Sequence, residues 1–388
     1  MCQCANVPMC QCANVLRGGN KQVLNFKILI IMEKLQFKGD KIILLIVILL
    51  SLLSVMMIAS TGDRWIEQLR NFGVGFFLLF LFYHFDYRNV SRFATPMLIV
   101  SGVLLFYSFL NPSGLRTISI FGIDLQIFYF IGFCVLLYMA KYMATKLNIE
   151  EELTQKEVVK LFGIILLFCG GIFFSNQSTA IILFCTCIVL LFLGRVKTSY
   201  LALFCGVIFV AVFLSFTLGI GRVQTFKNRV YYWKNDKIKS EMDKDYGRQA
   251  ILSRAAISTA SWLPAHVGKG EIKKVLPEKD NDYVYSVLVE EMGLLVGIFV
   301  LFAYLIILFR TIRIARNANG AFAMLLACGI GFWFCMQALI HIGVNSFLIP
   351  ATGQTLPFVS RGGVSLAISG AAIGMLMNIS KKDVKNFC

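Results

Sequence analysis

The segment most able to do chemistry is acidic: LPEKDNDYVYSVLVEEMG, running from Leu276 to Gly293. It leads the chain from a long polar stretch into an apolar run that begins at Tyr283. A carboxylate at the mouth of an apolar segment is costly to bury, which makes it a functional-site candidate. We place catalysis at Asp282, because a carboxylate can act as a general base while a bond forms. Capping the following helix is the structural alternative for Asp282, and the two roles are compatible.

Two polar residues follow Asp282 at helical spacing. Asp282, Ser286 and Glu290 stand at i, i+4 and i+8, so a helix places them on one face with some drift. We therefore predict Ser286 and Glu290 as substrate-binding residues. Glu290 and Glu291 lie within the apolar run, where an unpaired charge is costly. At least one of them should line an internal cavity or pair with a cation, and structural pairing and catalysis both stay open.

Two more carboxylates, Glu278 and Asp280, precede Asp282 in the same segment. Hard oxygen ligands suit magnesium or manganese, so both are candidate ligands of a divalent cation. A solvated acidic turn is the simpler interpretation of this pair.

A second segment rich in Gly and Pro, PATGQTLPFVSRGG, runs from Pro350 to Gly363. Such density beside an apolar run predicts a rigid re-entrant or capping loop, which is tolerated where it lines a cavity. Thr355 and Ser360 can donate hydrogen bonds to phosphate or sugar, and Arg361 adds a cation. A tightly packed turn is the alternative.

The composition fixes the class of protein. The 388 residues are 58% hydrophobic and only 15% charged, with a mean hydropathy of +0.75. Soluble domains carry about 25% charged residues, so a soluble fold is excluded. A membrane-spanning helix needs roughly 17–25 residues, and the shorter apolar runs reach that length through flanking polar residues. We predict an all-α polytopic membrane protein with about ten transmembrane helices. Its apolar runs are Ile42–Ser60, Phe72–Phe85, Phe93–Leu110, Ile127–Ala140, Leu161–Phe174, Thr179–Gly194, Tyr200–Gly219, Tyr283–Phe309, Ala321–Val344 and Val364–Met377.

The distribution of Lys and Arg predicts the orientation. If the first helix starts in the cytoplasm, most basic residues of the short loops lie inside, as the positive-inside rule requires. Residues 220–282 then form a large external loop between helices 7 and 8, long enough to escape that rule. Both termini, including the tail 381–388, are expected in the cytoplasm. The formal charge of +16 indicates anchoring to anionic membrane lipid and not nucleic-acid binding.

Residues 1–31 contain a duplicated MCQCANV. The resulting Cys pairs are spaced more closely than most zinc ligands, so zinc binding is the less favoured interpretation. We expect a non-native or disordered extension, with a native start at Met32 ahead of a membrane domain over residues 32–380.

Three sequence blocks resemble the SEDS family of shape, elongation, division and sporulation proteins, which includes FtsW, RodA and SpoVE. The first block contains Gly114-Leu-Arg116 and Gln126, the second is the Leu276–Gly293 segment, and the third is Pro350–Gly363. The second resembles the family pattern LPEAHTDFIFAVIGEELG, and the third resembles P-x-x-G-x-T-L-P-F-x-S-x-G-G. KGDK before the first helix and the GQTLP variant look most similar to the FtsW branch.

The chain departs from the family pattern at several positions, of which three bear most on function. Tyr129 replaces a Glu, and Gly132 replaces the Lys that follows it at i+3. Loss of both members of an ion pair is far milder than loss of one, so the fold should survive. Asn176 replaces a family Asp, which leaves full activity open.

The resemblance implies a peptidoglycan glycosyltransferase that polymerises lipid II on the outer face of the cytoplasmic membrane during cell division. It implies Asp282 as the catalytic residue and, as partners, lipid II, membrane lipid, a class B penicillin-binding protein and other division proteins. Besides a possible magnesium or manganese ion, no cofactor is expected. The candidate substrate-binding residues are Arg116, Lys269, Lys274, Glu278, Ser286, Glu290, Thr355, Ser360 and Arg361.

The basic residues among these candidates would stabilise a departing diphosphate. Lys269 stands out because its flanking glycines let the backbone approach an anion closely. Most basic residues of the large loop are equally explained by contact with solvent or lipid headgroups.

Two other functions stay open. A lipid II flippase would place ionisable groups near the membrane midplane, whereas this chain concentrates them at the external mouth, which favours the enzyme. An inactive scaffold that activates its penicillin-binding partner is kept open by the departures at Tyr129, Gly132 and Asn176.

Overall fold

The computed structural model describes residues 39–62, 65–110, 117–120, 123–147, 153–219, 227, 229–231, 233, 244–264 and 267–383. The predictions for the N-terminal extension, for Arg116 and for most of the C-terminal tail fall outside these residues.

The described chain is built almost entirely from helices, as predicted. They are α1 (Lys41–Thr61), α2 (Trp65–His84), α3 (Tyr87–Leu110), α4 (Ile127–Leu147), α5 (Gln155–Ser175), α6 (Gln177–Leu193), α7 (Thr198–Leu218), α8 (Lys244–Ser258), α9 (Ile272–Val275), α10 (Val284–Met292), α11 (Leu294–Arg316), α12 (Ala321–Asn345) and α13 (Gly363–Asp383). A short antiparallel pair, β1 (Thr117–Ile120) and β2 (Ile123–Gln126), precedes α4. This hairpin is an addition to the all-helical prediction.

Every predicted apolar run corresponds to a long helix. Eight helices of the described chain are long and apolar enough to cross a membrane. The other two runs correspond to α2, which opens with a polar first turn, and to α6, which has 17 residues. The chain is therefore a multi-pass membrane protein.

The eighth predicted span, Tyr283–Phe309, is not continuous, and this corrects the sequence-based expectation. The chain breaks at Gly293, whose φ of 84° favours glycine. A Cβ there would come within 2.8 Å of the Trp262 carbonyl oxygen. The freed N–H groups of Leu294 and Leu295 bond the carbonyls of Ser261 and Trp262 at 2.9 and 3.3 Å. The acidic segment therefore ends in α10, a separate buried helix that carries Glu290 and Glu291, and α11 is the span.

Polar contacts define the two ends of the bundle. At one end, Arg310 Nε donates to Asp40 Oδ2 at 2.8 Å and Asp40 N–H donates to Ser380 Oγ at 3.0 Å, joining α11, α1 and α13. We call this the Arg310 end. The opposite end, the Asp282 end, carries the acidic segment and the Pro350–Gly363 loop. The predicted topology also puts the Arg310 contacts on one side of the membrane, and the acidic segment and the Pro350–Gly363 loop on the other. Which side faces the cytoplasm stays a prediction.

Candidate active site

A tight turn between α9 and α10 presents Asp282. The Glu278 carbonyl accepts the N–H groups of Asn281 and Tyr283 at 3.1 and 3.3 Å. Glu278 itself has a φ of 51°, a conformation uncommon for a residue with a side chain. The Asp282 side chain is half-buried, and a Cβ added to Gly353 would lie 3.3 Å from its Oδ2 atom. The carboxylate therefore lies against the Pro350–Gly363 loop at the rim of the bundle.

Three successive carbonyls of this turn are held by other elements. Arg361 N–H donates to Asp280 O at 2.8 Å, and Ser360 Oγ donates to Asn281 O at 2.8 Å. Asn345 Nδ2, at the end of α12, donates to Asp282 O at 3.0 Å. The backbone at Asp282 is thus fixed from two sides, as a reacting group requires.

The N-cap alternative for Asp282 is not what the structure shows. The cap residue of α10 is Tyr283, whose own side chain makes no capping hydrogen bond, and Asn345 Oδ1 accepts the first-turn N–H of Ser286 at 3.0 Å. Asp282 stands one residue earlier, outside the cap position of α10.

Ser286 takes part in a buried network and not in the open site. It is completely buried, and its N–H donates to Asn345 Oδ1 at 3.0 Å. Its hydroxyl contacts that same oxygen and the Ser253 hydroxyl. The geometry therefore corrects the helix-face argument: Ser286 fastens α10 to α12 and α8, with no surface left for a substrate.

The Pro350–Gly363 loop enters the bundle, in agreement with the re-entrant prediction. Its residues 354–360 are all buried. Ser360 Oγ accepts the Leu356 N–H at 2.7 Å while donating to the acidic turn, and Thr355 Oγ1 contacts the Tyr129 hydroxyl at 2.8 Å. Both hydroxyls hold the loop in this way, and substrate binding by Thr355 and Ser360 stays a prediction.

Gln354 ties this loop to three helices. Its Nε2 donates to Thr179 Oγ1 on α6 at 2.9 Å, and its carbonyl contacts His341 Nδ1 on α12 at 2.7 Å. The Tyr129 hydroxyl on α4 donates to its Oε1 at 3.3 Å. Asn176, one of the departures from the family pattern, caps α6 by accepting the Thr179 N–H at 3.2 Å.

The other two departures, Tyr129 and Gly132, replace the Glu and the Lys of the family pattern. Where the resemblance leads one to expect a Glu–Lys ion pair, the Tyr129 hydroxyl bonds the loop directly. The space beside Gly132 is filled by the Trp333 ring, which a Cβ at Gly132 would overlap. A neutral hydrogen bond from Tyr129 thus holds the loop, and an aromatic ring fills the space at Gly132.

This replacement predicts that Gly132→Ala destabilises the protein. Overpacking typically costs about 1–3 kcal/mol, and Trp333→Phe in the same chain should restore much of that loss. The thermal unfolding midpoint in detergent measures both effects. Gly163→Ala on α5, where a Cβ meets nothing within 4 Å, is the matched control and should unfold like the wild type. Equal midpoints for Gly132→Ala and the control would contradict this packing.

The two glutamates of α10 have different surroundings. Glu291 is completely buried and pairs with Lys273, which is itself buried, and it accepts the Ser60 hydroxyl at 2.7 Å. Glu290 accepts the Ile272 N–H at 2.9 Å through Oε1, while its Oε2 is buried with no hydrogen-bond partner among the described residues. The expectation that at least one glutamate pairs with a cation is met by Glu291.

The Lys273–Glu291 pair fixes the segment before the active turn to the membrane domain. Lys273 Nζ also donates to the Ser60 carbonyl at 2.9 Å, so α9, α10 and the end of α1 meet at one point. The sequence indicated Lys273 only as one of many cations in the large loop. Its role is visible only once α9 is placed beside α10.

The remaining described candidate residues are Lys269, Lys274, Glu278 and Arg361, of which the first three are exposed. Lys274 Nζ pairs with Glu271 at 2.8 Å. Arg361 Nη2 pairs with Glu67 Oε2 at 2.7 Å and is about three-quarters buried. Of these, Arg361 is the cation attached directly to the Asp282 turn, through its N–H.

The fit to a protein-held metal ion is poor. No group of three or more His, Cys, Asp or Glu side chains in the described residues is arranged to hold an ion. Glu278 Oε2 already accepts a hydrogen bond from Asn281 Nδ2 at 2.9 Å. A divalent cation carried by a substrate diphosphate stays a prediction.

An apolar cavity of about 800 Å³ lies among α3, α5, α6 and α7. Leu105, Phe109, Phe184 and Phe204 are among its lining residues. Gln177, at the start of α6, is its polar lining residue nearest the loop, and its Nε2 is buried with no hydrogen-bond partner in the described chain. The next residue, Ser178, donates to Thr352 O at 3.0 Å. The cavity therefore begins beside the loop that contacts Asp282.

Comparison with known proteins gives consistent results. A model of the cell cycle proteins FtsW, RodA and SpoVE matches residues 27–385. Stage V sporulation protein E of Bacillus subtilis is 27% identical, covering 88% of this chain and 97% of that protein. A probable peptidoglycan glycosyltransferase FtsW of Alcanivorax borkumensis is 30% identical, with 87% and 92% covered.

Solved structures show the same fold. The rod shape determining protein RodA of Thermus thermophilus superposes with a TM-score of 0.65 at 18% identity, covering 89% of this chain and 97% of that one. A chain from a study of polymerization and crosslinking by a peptidoglycan synthase complex reaches a TM-score of 0.74 at 19% identity, with 89% and 98% covered.

Proposed function

Because the chain belongs to the FtsW, RodA and SpoVE family of cell cycle proteins, we propose that it is a peptidoglycan glycosyltransferase that polymerises lipid II. The observation that carries the proposal is the Asp282 carboxylate, held half-exposed between a tight turn and the re-entrant loop. Its backbone is fixed by Asn345, and the adjoining carbonyls are fixed by Ser360 and Arg361.

The reaction uses Asp282 as the general base. A hydroxyl oxygen of the acceptor sugar attacks the anomeric carbon of the donor, and the hydroxyl proton passes to the Asp282 carboxylate. The bond between that carbon and the diphosphate oxygen breaks, and the diphosphate leaves with the electron pair. Lys269 and Lys274, exposed on the segment before the turn, are suited to stabilise the departing charge.

The apolar cavity suits the lipid part of such a substrate. A polyprenyl chain is wholly apolar, and the cavity is lined almost entirely by apolar side chains. The unpartnered Gln177 Nε2, near the loop, would donate to an oxygen of the headgroup. In this proposal the reacting end of the lipid lies near Asp282 and its chain lies among the helices.

We further propose the cellular setting. The protein lies in the cytoplasmic membrane with both termini inside, so that the Asp282 end faces outward, where lipid II is polymerised. It acts in cell division with a class B penicillin-binding protein that crosslinks the glycan strands. The comparisons support a peptidoglycan role, since relatives are named peptidoglycan glycosyltransferases.

The test supplies purified protein, in proteoliposomes, with lipid II on the side of the Asp282 end. We expect glycan strands on gels, with more product when the penicillin-binding partner is present. A maleimide label at Lys269→Cys should react from that same side, and one at Arg313→Cys only from the other. Transfer of lipid II across the membrane without polymer would favour the flippase, and polymer made only by the partner would favour the scaffold.

A further inference from the structure

A second cavity, of about 390 Å³, opens at the Arg310 end of the bundle. It lies among the start of α3, the end of α4 and the α11–α12 connection, on the opposite end from Asp282. The hydrogen bond from Tyr87 N–H to Asn378 Oδ1 at 3.3 Å attaches its floor to the end of α13. We call it the Arg88–Lys141 cavity after its two charged lining residues.

The charged side chains that line this cavity are basic. Arg88 and Lys141 line it, and none of the described residues that line it is acidic. Lys141 Nζ donates to Thr95 Oγ1 at 3.3 Å, which occupies one of its three protons. The Arg88 guanidinium hydrogen-bonds Tyr87 and is also attracted by Asp86, the nearest carboxylate in the sequence, whose Oδ1 accepts the Arg88 backbone N–H at 3.0 Å.

The start of α12 adds a further attraction for anions. Gly320 is the N-cap of this 25-residue helix, and it lines the cavity together with Phe322 and Ala323. Backbone N–H groups in the first turn of a helix have no intrahelical acceptor, and the helix dipole favours negative charge there. Two cations and a helix start thus converge on one recess.

The walls suit a ligand that also has an apolar part. The Tyr87 and Phe322 rings stack with their centroids 6.2 Å apart. The volume falls within the usual range for small-ligand sites, roughly 300–1,000 Å³. Basic recesses between helices at one face of a membrane protein are a known form of phospholipid headgroup site.

We propose that the Arg88–Lys141 cavity is a binding site for a phosphate group, carried either by an anionic phospholipid headgroup or by a soluble phosphate compound. The guanidinium of Arg88 would bind two phosphate oxygens, and Lys141 and the N–H groups of Phe322 and Ala323 would bind the others. The site stands apart from the proposed polymerisation reaction and does not depend on it.

The test is native mass spectrometry of the detergent-released protein with dioleoyl phosphatidylglycerol, dioleoyl phosphatidylcholine or inorganic phosphate. Loss of charge-assisted hydrogen bonds should weaken binding by about tenfold or more in Arg88→Gln/Lys141→Gln. The matched control is Arg313→Gln/Arg316→Gln, which removes two exposed cations from the same end, outside the cavity.

Tight binding of phosphatidylglycerol that only the cavity variant weakens supports the proposal and assigns a lipid source. The same pattern with inorganic phosphate alone supports a soluble source. Should the double variant fail to fold, Asn319→Asp places a negative charge on the exposed rim and should also weaken binding. Equal binding by cavity and control variants, or binding by no anionic probe, overturns the proposal.

Discussion

Replacing Asp282 by Asn should lower the rate of glycan polymerisation by about 10²–10⁴-fold, the usual cost of losing a general base. Asn keeps the size of the side chain and some of its hydrogen-bonding capacity. The Asp282 carbonyl that Asn345 holds belongs to the backbone and is unchanged. The turn should therefore fold as before, and the loss should appear in the rate of lipid II consumption and not in the unfolding midpoint.

The matched control is Glu271→Gln, which removes another carboxylate from the segment just before the Asp282 turn. Glu271 is exposed, and hydrogen bonding to Lys274 lowers its pKa. It should polymerise lipid II at the wild-type rate. If Asp282→Asn were as active as Glu271→Gln, then Asp282 would have no part in the chemistry. A lowered unfolding midpoint in Asp282→Asn would instead assign the carboxylate a structural role.

Replacing Lys273 by Met should destabilise the protein by about 3–5 kcal/mol, because it leaves a buried charge without its partner. Glu291 would keep the Ser60 hydroxyl and the Gly268 N–H, at 2.7 and 3.3 Å, as hydrogen-bond donors. Neither carries a positive charge. The free energy of unfolding in mixed micelles measures the loss.

The double variant Lys273→Met/Glu291→Leu should recover most of the lost stability, since an apolar pair often replaces a buried ion pair at little cost. Lys274→Met is the control for Lys273: its exposed side chain pairs only with exposed Glu271, a contact worth about 0–1 kcal/mol. A single Lys273 variant no less stable than the Lys274 variant would show that the pair does not hold α9 in place.

The sequence predicted the helices well because the membrane imposes one rule on all of them. A segment that crosses lipid must be long, apolar and internally hydrogen-bonded, and these properties are local. Each apolar run, from Ile42–Ser60 to Val364–Met377, therefore corresponds to a helix. The re-entrant loop was also predictable, since its Gly and Pro residues exclude a continuous helix.

The break at Gly293 could not be predicted from the pattern of apolar residues. The run from Tyr283 to Phe309 is mostly apolar, and Glu290 and Glu291 are its charged residues. What ends α10 is tertiary: the backbone of residues 261–262 accepts the N–H groups of Leu294 and Leu295. The helix-face argument for Ser286 failed for the same kind of reason, because the face it shares with Asp282 packs against α12.

The contact partners of the site residues could not be predicted from the sequence either. Nothing local in the sequence joins Tyr129 to Thr355 or Trp333 to Gly132, since each pair is separated by more than a hundred residues. The departures at Tyr129 and Gly132 looked like losses when taken one position at a time. The structure shows that Tyr129 holds the loop through its hydroxyl and that Gly132 leaves room for the Trp333 ring.

The most direct measurement is the rate of undecaprenyl diphosphate release from lipid II by purified protein in proteoliposomes, with transfer of lipid II across the membrane measured in the same sample. We predict that the wild type releases one diphosphate for each glycosidic bond formed, and that Asp282→Asn releases almost none. Transfer of lipid II should be the same for both proteins. The glycosyltransferase function would be contradicted if the wild type transferred lipid II across the membrane without releasing diphosphate. If Asp282→Asn also abolished that transfer, Asp282 would be part of a transporter.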